Sequence, residues 1–314
     1  MALYVLKRLG FMIVTLWIIV TLTFVIMHAV PGDPFSNDRM TPVVLANLKA
    51  KYGLDKPLPE QYVIYLKNLL HGDLGVSMRN QTRTVNELIG QHFPVSAQLG
   101  FWSLLYSVPG GIGLGVLAAL KRNKWADRSA MVASVLGISV PSFVFATLLQ
   151  LLLGVMWKRW TGKVLLPVGG WGEWRQILLP AFCLGIGTLA VYARMMRSSM
   201  LDILNQDYIK TARSKGLSGY EVVWRHAIRN AILPIVTLFG FTVVGTLLGS
   251  LVIEQIFAIP GLGMHFVQSL TNSDYTVILG TTVFFAALLV FALFLVDIAY
   301  GFVDPRIRVG GGKS

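Results

Sequence analysis

Side chains able to carry catalysis are scarce in this chain, and each spacing that resembles a catalytic signature fails on its own terms. Gly312-Lys313-Ser314 has the ending of a phosphate-binding loop, but the glycine required five residues before Gly312 is Ile307. Gly113-Leu-Gly115-Val-Leu-Ala118 fits a loose dinucleotide fingerprint, yet it sits in an apolar run where Gly111-xxx-Gly115 is the spacing of a helix-packing surface. The histidines at 28, 71, 92, 226 and 265 show neither HExxH nor paired-ligand spacing, so no metal site is expected. No Ser/His/Asp set assembles either. The single cysteine, Cys183, can make neither an intrachain disulfide nor a thiolate cluster. Two acids lie in apolar stretches, Glu254 and Asp297. A membrane acid is read first as functional, although Asp297, within two turns of an inner end, is better placed to pair with an inner arginine. The expectation is a non-catalytic chain with no resident cofactor.

The elements that hold these residues are membrane helices. Of 314 residues, 54% are hydrophobic and 13% charged, against about 45–50% and about 25% in soluble domains. With a mean hydropathy of +0.64, disorder, coiled coil and nucleic-acid binding are excluded, because each needs a more polar chain. A bilayer core takes about 20 apolar residues as helix. Six stretches qualify: Leu9 to Val30, Ala97 to Leu120, Ser129 to Trp157, Ile177 to Met196, Ala231 to Glu254 and Val277 to Phe302. The first lacks a small-x-small cleavage site and reads as a retained anchor. The third contains Pro141, which predicts tilt or a kink. The segments on the side of the termini carry 15 Lys/Arg in 62 residues and the opposite segments 11 in 107, which places both termini in the cytoplasm. Lys158, Arg159, Lys163 and Arg175 run against that bias.

Residues 31–96 carry helix signals of their own: Thr41-Pro42 before a run closed by Gly53, a second run from Pro59 to His71 closed by Gly72, and Thr84-Val-Asn-Glu87 as a capping box. They predict a small external helical subdomain, with Tyr62, Tyr65, Leu66, Leu69 and Leu70 forming an apolar face that needs a partner. Inside, the most informative stretch is Arg194 to Pro234. A helix from Tyr208 to Lys215, a stop at Gly216 and a second helix capped by Ser218 make a compact knob before Pro234 enters the next span.

That knob resembles the coupling loop of membrane subunits of ATP-binding-cassette (ABC) importers, whose general signature is Glu-Ala-Ala, three residues, Gly, then nine residues and Ile-x-Leu-Pro. Ala212 and Gly216 match; Lys210 and Thr211 depart from it, and Leu233-Pro234 falls five residues late. These departures are those of dipeptide and oligopeptide permeases, which share Thr211 to Ser218, His226 and Arg229 to Pro234. The likeness spans nearly the whole chain: Pro31-Gly-Asp-Pro34, Tyr52 to Leu58, Phe93 to Ser96, Arg122 to Asp127, Gly137 to Phe143, Phe257 to Gly263 and Val303 to Arg308. It is closest to the first permease of such systems, with its large loop between spans one and two.

What the resemblance implies is an all-α integral membrane protein of type I ABC importer permease architecture in the bacterial cytoplasmic membrane. Its parts are span one (1–30), the extracytoplasmic subdomain (31–96), the permease core (97–302) with its coupling loop (197–230), and a cytoplasmic tail (303–314). Its partners are a homologous second permease, two cytoplasmic ATPase subunits that bind ATP and Mg, an extracytoplasmic binding protein and the lipid bilayer, with no nucleic acid. Thr211, Ala212, Arg213, Ser214, Lys215, Gly216 and Leu217 are expected at the ATPase contact. Glu254, Phe257, Pro260, Gly261 and Gly263 are expected near the pathway mouth, in an ordered outer segment. Gly111, Gly115, Gly245 and Gly249 are expected at close helix crossings. Peptide is the expected cargo, with nickel or another small solute as the alternative. A self-contained secondary transporter is the competing class.

Overall fold

A chain this apolar must satisfy its backbone hydrogen bonds within each segment, and helices do so. The computed structural model describes residues 2–29, 46, 50, 52–247 and 249–303. Among them are six helical segments long and apolar enough to span a bilayer: Val5–Ala29, Val85–Leu120, Ser142–Thr161, Trp174–Leu204, Leu233–Ile256 and Tyr275–Leu295. The only β pairing among the described residues is an isolated bridge between Val76 and Thr84. The Pro31-Gly-Asp-Pro34 motif, the run opening at Thr41 and the tail from 304 lie outside the described residues, as does the side chain of Asp297.

The chain divides into two units. The first comprises Met1–Pro94 and Leu262–Ile298. Helix α1 (Ala2–Ala29) is followed by α2 (Leu58–Leu70), which Pro57 opens and which ends at His71 before Gly72 turns with φ +73°. Tyr62 of α2 bonds Thr21 of α1 through its hydroxyl (2.6 Å), and Tyr65 stacks on Phe24 at 5.7 Å. Leu70 departs from the expected face, being 87% exposed. The capping box predicted at Thr84 opens α3 (Val85–Leu120): the Glu87 amide donates to Thr84 Oγ1 and the Thr84 amide to Glu87 Oε2, both at 3.1 Å. Asp274, 4% exposed, ties the 77–79 turn to the start of the last helix. It accepts from Ser77 Oγ, from the amides of Met78 and Arg79, and from the Val277 amide. Helices α13 (Leu262–Thr271) and α14 (Tyr275–Val303), together with the first turns of α3, bury Val85, Leu88, Ile89, Leu262 and Val277 as one cluster.

The second unit comprises Val95–Gly261 and Ala299–Ser314. Its centre is α7 (Trp174–Leu204), capped by Glu173 and Gln176. The third predicted span is not one kinked helix. It breaks between α4 (Trp125–Ser139) and α5 (Ser142–Leu149) because Val140, preceding Pro141, is forced into extended backbone (φ −87°, ψ 122°). The crossing segment is instead α5 continued through wider π-helical turns (Gln150–Met156) into α6 (Trp157–Thr161). The fifth stretch is also interrupted: α11 (Leu233–Leu247) and α12 (Leu251–Ile256) are separated by a corner at Gly249 with φ +78°.

Close backbone approach explains two of the predicted glycines. A Cβ at Gly111 would lie 2.6 Å from the Leu189 carbonyl oxygen, and one at Gly115 would lie 2.5 Å from that of Ala193, so this face of α3 rests on the backbone of α7. Gly245 faces open space within the chain, and Gly249 is a left-handed corner rather than part of a helix stripe. Gly100, which the sequence did not single out, has a further close approach, 2.5 Å from the Thr246 carbonyl oxygen of α11.

Candidate functional site

The knob is built from local signals. Asp207 begins α8 (Asp207–Ser214), placing negative charge at the positive end of the helix. Two apolar residues three apart, Ile209 and Ala212, form its inward face and are buried. The helix ends in a Schellman turn: the Gly216 amide donates to Arg213 (3.0 Å) and the Leu217 amide to Ala212 (3.4 Å), with Gly216 at φ +83°. Ser218 then caps the next element. Its Oγ accepts from the Glu221 amide at 3.2 Å while its own amide donates to Glu221 Oε2 at 3.1 Å. These bonds from Ser218 hold the Glu221 carboxyl below the usual range. The turn α9 (Gly219–Glu221), π-helical Val222–Ala227 and α10 (Ile228–Ala231) lead into α11. Asn230 clasps the two halves, its Nδ2 donating to the Tyr208 hydroxyl (3.2 Å) and the His226 carbonyl (2.8 Å).

The knob is packed onto its own unit. Ile209, Ala212, Val222, Ala227 and Ala231 share one core with Tyr192, Met196 and Met200 of α7. This corrects one expectation: Ala212, 6% exposed, supports the knob from beneath and is not on its outer surface. The other predicted residues behave differently. Thr211, Arg213, Ser214, Lys215 and Gly216 are exposed, and Leu217 is half-buried. Beside them lie three exposed aromatics that the sequence reading missed, Tyr208, Tyr220 and Trp224; the last two are 72% and 57% exposed with ring centroids 6.0 Å apart. Large exposed aromatics beside a basic, hydroxyl-bearing edge have the composition of an interface anchor.

At the root of the knob, Arg197 of α7 pairs with Asp127 of α4. Nε donates to Oδ1 at 2.5 Å and Nη2 to Oδ2 at 2.8 Å, a bidentate arrangement. The Asn123 amide also donates to Oδ2, at 2.9 Å. The Arg197 guanidinium holds the Asp127 carboxyl below the usual carboxylate range. Neither residue stood out in the sequence except as part of a longer stretch, because the partners are 70 positions apart.

In the second unit residues 256–261 form a turn after α12. Phe257 and Ile259 are wholly buried, Pro260 is exposed and Ala258 takes φ +50°. Glu254 is wholly buried, and its Oε1 accepts from Ser96 Oγ at 2.7 Å. Gly261 lies against the Glu254 carboxyl, whereas Gly263 falls in the first turn of α13 in the other unit. Among the described residues no group of three or more His, Cys, Asp or Glu could hold a metal ion.

Comparison with known proteins completes the description. Residues 111–309 match the family model of the binding-protein-dependent transport system inner membrane component, and residues 1–100 match the model of its N-terminal part. The chain is 46% identical over 310 residues to the dipeptide transport system permease protein of Bacillus subtilis, covering 98% of this chain and 99% of the relative. It is 44% identical over 306 residues to the dipeptide permease of Lactococcus lactis (98% and 99% covered) and 41% identical over 308 residues to the oligopeptide transport system permease protein of Haemophilus influenzae (97% and 99%).

Proposed function

Because the chain belongs to the family of binding-protein-dependent transport system inner membrane components, we propose that it is a permease subunit of a peptide-importing ABC transporter and forms half of the translocation pathway. The fold is the all-α, six-span arrangement of type I ABC importer permeases. The observation that carries the peptide reading is identity above 40% over nearly full length to relatives named for dipeptide and oligopeptide transport.

In this reading the chain supplies no catalysis. Two partner ATPases bind ATP and Mg and hydrolyse ATP in the cytoplasm, a second permease completes the pathway, and an extracytoplasmic binding protein delivers the peptide. The knob is the point of force transfer. Its outer edge, Thr211, Arg213, Ser214, Lys215 and Gly216 with Tyr220 and Trp224, seats in a cleft of one ATPase, while its inner face is packed on α7. A rigid knob moves the helix it rests on, which is what alternating access between two arrangements requires. Uptake of labelled dipeptides, oligopeptides and nickel in cells with and without this chain tests the assignment. Loss of peptide uptake alone supports it. Loss of nickel uptake alone would assign the cargo to the metal.

A further inference from the structure

The outer turn of the second unit has a construction that the permease reading does not use. Between Gly249 (φ +78°) and Ala258 (φ +50°) the chain makes two left-handed corners around the six-residue α12. Irregular backbone at membrane depth needs polar partners from elsewhere in the protein, and two side chains supply them here. Gln150, at the start of the π-helical turns, donates through Nε2 to the Ile256 carbonyl at 3.0 Å and to the Val168 carbonyl at 2.5 Å. Next to it the Gly170 amide donates to the Phe257 carbonyl at 2.8 Å. From the other side Glu254 binds Ser96 of α3. Its carboxyl is walled by glycines: Oε1 occupies the space a Cβ at Gly249 would need, and the carboxyl carbon lies 2.5 Å from a Cβ at Gly261. A wholly buried carboxyl with a dedicated donor and a glycine-lined socket costs desolvation, so a hydrocarbon side chain would fill the same space more cheaply.

We propose that Gln150 and Glu254 are positioning residues of a latch that holds the Ile256–Gly261 turn at the outer end of this unit, and that this latch ties ATP hydrolysis to peptide passage. The inference rests on the permease reading above. π-Helical turns are the element able to release the latch. Each accommodates an extra residue, and its return to α geometry rotates the adjoining helix by about 100°, carrying Gln150 off the Ile256 carbonyl. The turn then has a second arrangement with a discrete switch between the two, which is what coupling needs.

The test uses the complete transporter in lipid bilayers, with Gln150→Ala, Glu254→Ala and Glu254→Gln. Amide exchange over 256–261 is read alongside the number of ATP molecules consumed per peptide transported. Each alanine variant is expected to raise exchange in the turn about tenfold and to raise ATP consumption per peptide severalfold. The socket supplies a second signature: Gly261→Ala, by crowding both the Glu254 carboxyl and the Ser96 hydroxyl, is expected to do the same. Wild-type exchange in the alanine variants would overturn the latch. Faster exchange with an unchanged ATP-to-peptide ratio would overturn its part in coupling, as would failure of all three single variants at 150 and 254 to assemble, which marks a purely structural role. If the wild-type complex shows no ATP-driven uptake, the permease reading falls and the coupling half falls with it, while the exchange comparison still decides whether the latch exists.

Discussion

Gly216 turns the backbone with φ +83° and nothing within 4 Å of where its Cβ would sit, so a substitution there is penalised by conformation and not by space. Gly216→Val places a β-branched residue in left-handed backbone at a cost of about 1–2 kcal/mol. The expected outcome is a folded, inserted protein that loses its ATPase partners or hydrolyses ATP without transport, read by retention on an affinity column together with uptake. Ala212→Asp is expected to act differently, because Ala212 belongs to the chain's own core. A charge there destabilises the knob itself, and the loss should show as lower yield and melting temperature. At the root of the knob, Asp127→Asn removes the charge that Arg197 engages and is expected to cost about 2 kcal/mol. The pair's stabilisation is present above the usual carboxylate pKa and is lost as pH falls through the depressed value of Asp127. Gly216 and the Ser218 cap were legible in the sequence because their signals lie within a few residues of each other. The direction Ala212 faces was not, since a helix as short as α8 has too few turns to declare its buried side. The Asp127 pair was invisible because only the fold brings the partners together.

Helix crossings decide which larger changes the fold tolerates. Gly115→Leu drives a side chain into the α7 backbone at Ala193 and Arg197 and is expected to abolish assembly, whereas Gly245→Leu meets open space within the chain and is expected to preserve the fold of the isolated subunit; expression and size-exclusion profiles separate the two. In the first unit, His265 of α13 packs against His92 of α3, the rings tilted by 44° with centroids 3.8 Å apart. Burial, then the charges of His92 and Arg83, pushes the pKa of His265 down from its ordinary 6.5 to about 4. The unfolded chain therefore binds more protons between those values, and the packing of α13 is expected to weaken as pH falls from about 6.5 towards 4. Amide exchange of 262–271 across that range measures it, and His265→Phe is expected to remove the dependence. Most elements were readable from hydropathy and caps. In the third stretch Pro141 announced a kink but not a full stop, and the break in the fifth was not readable, because Gly249 sits inside an apolar run where hydropathy has the same value whether the helix continues or stops.

For the whole molecule, the asymmetry of Lys and Arg sets the expected orientation, with both termini and the 197–230 segment in the cytoplasm and residues 31–96 outside. In a Cys183→Ser background, an impermeant thiol reagent applied from outside is expected to reach a cysteine at position 80 and not one at 214; the reverse pattern would invert the topology. The central claim is that this chain is the passive membrane part of an ATP-driven importer, moved through its knob. The most direct measurement is affinity capture of the tagged chain from its own membranes, followed by ATP-driven peptide uptake by the captured complex in proteoliposomes. The account predicts two ATPase subunits and a second permease in fixed proportion, with uptake that stops when Gly216 is replaced by Val. A chain that is captured alone and moves substrate on an ion gradient without ATP would contradict it.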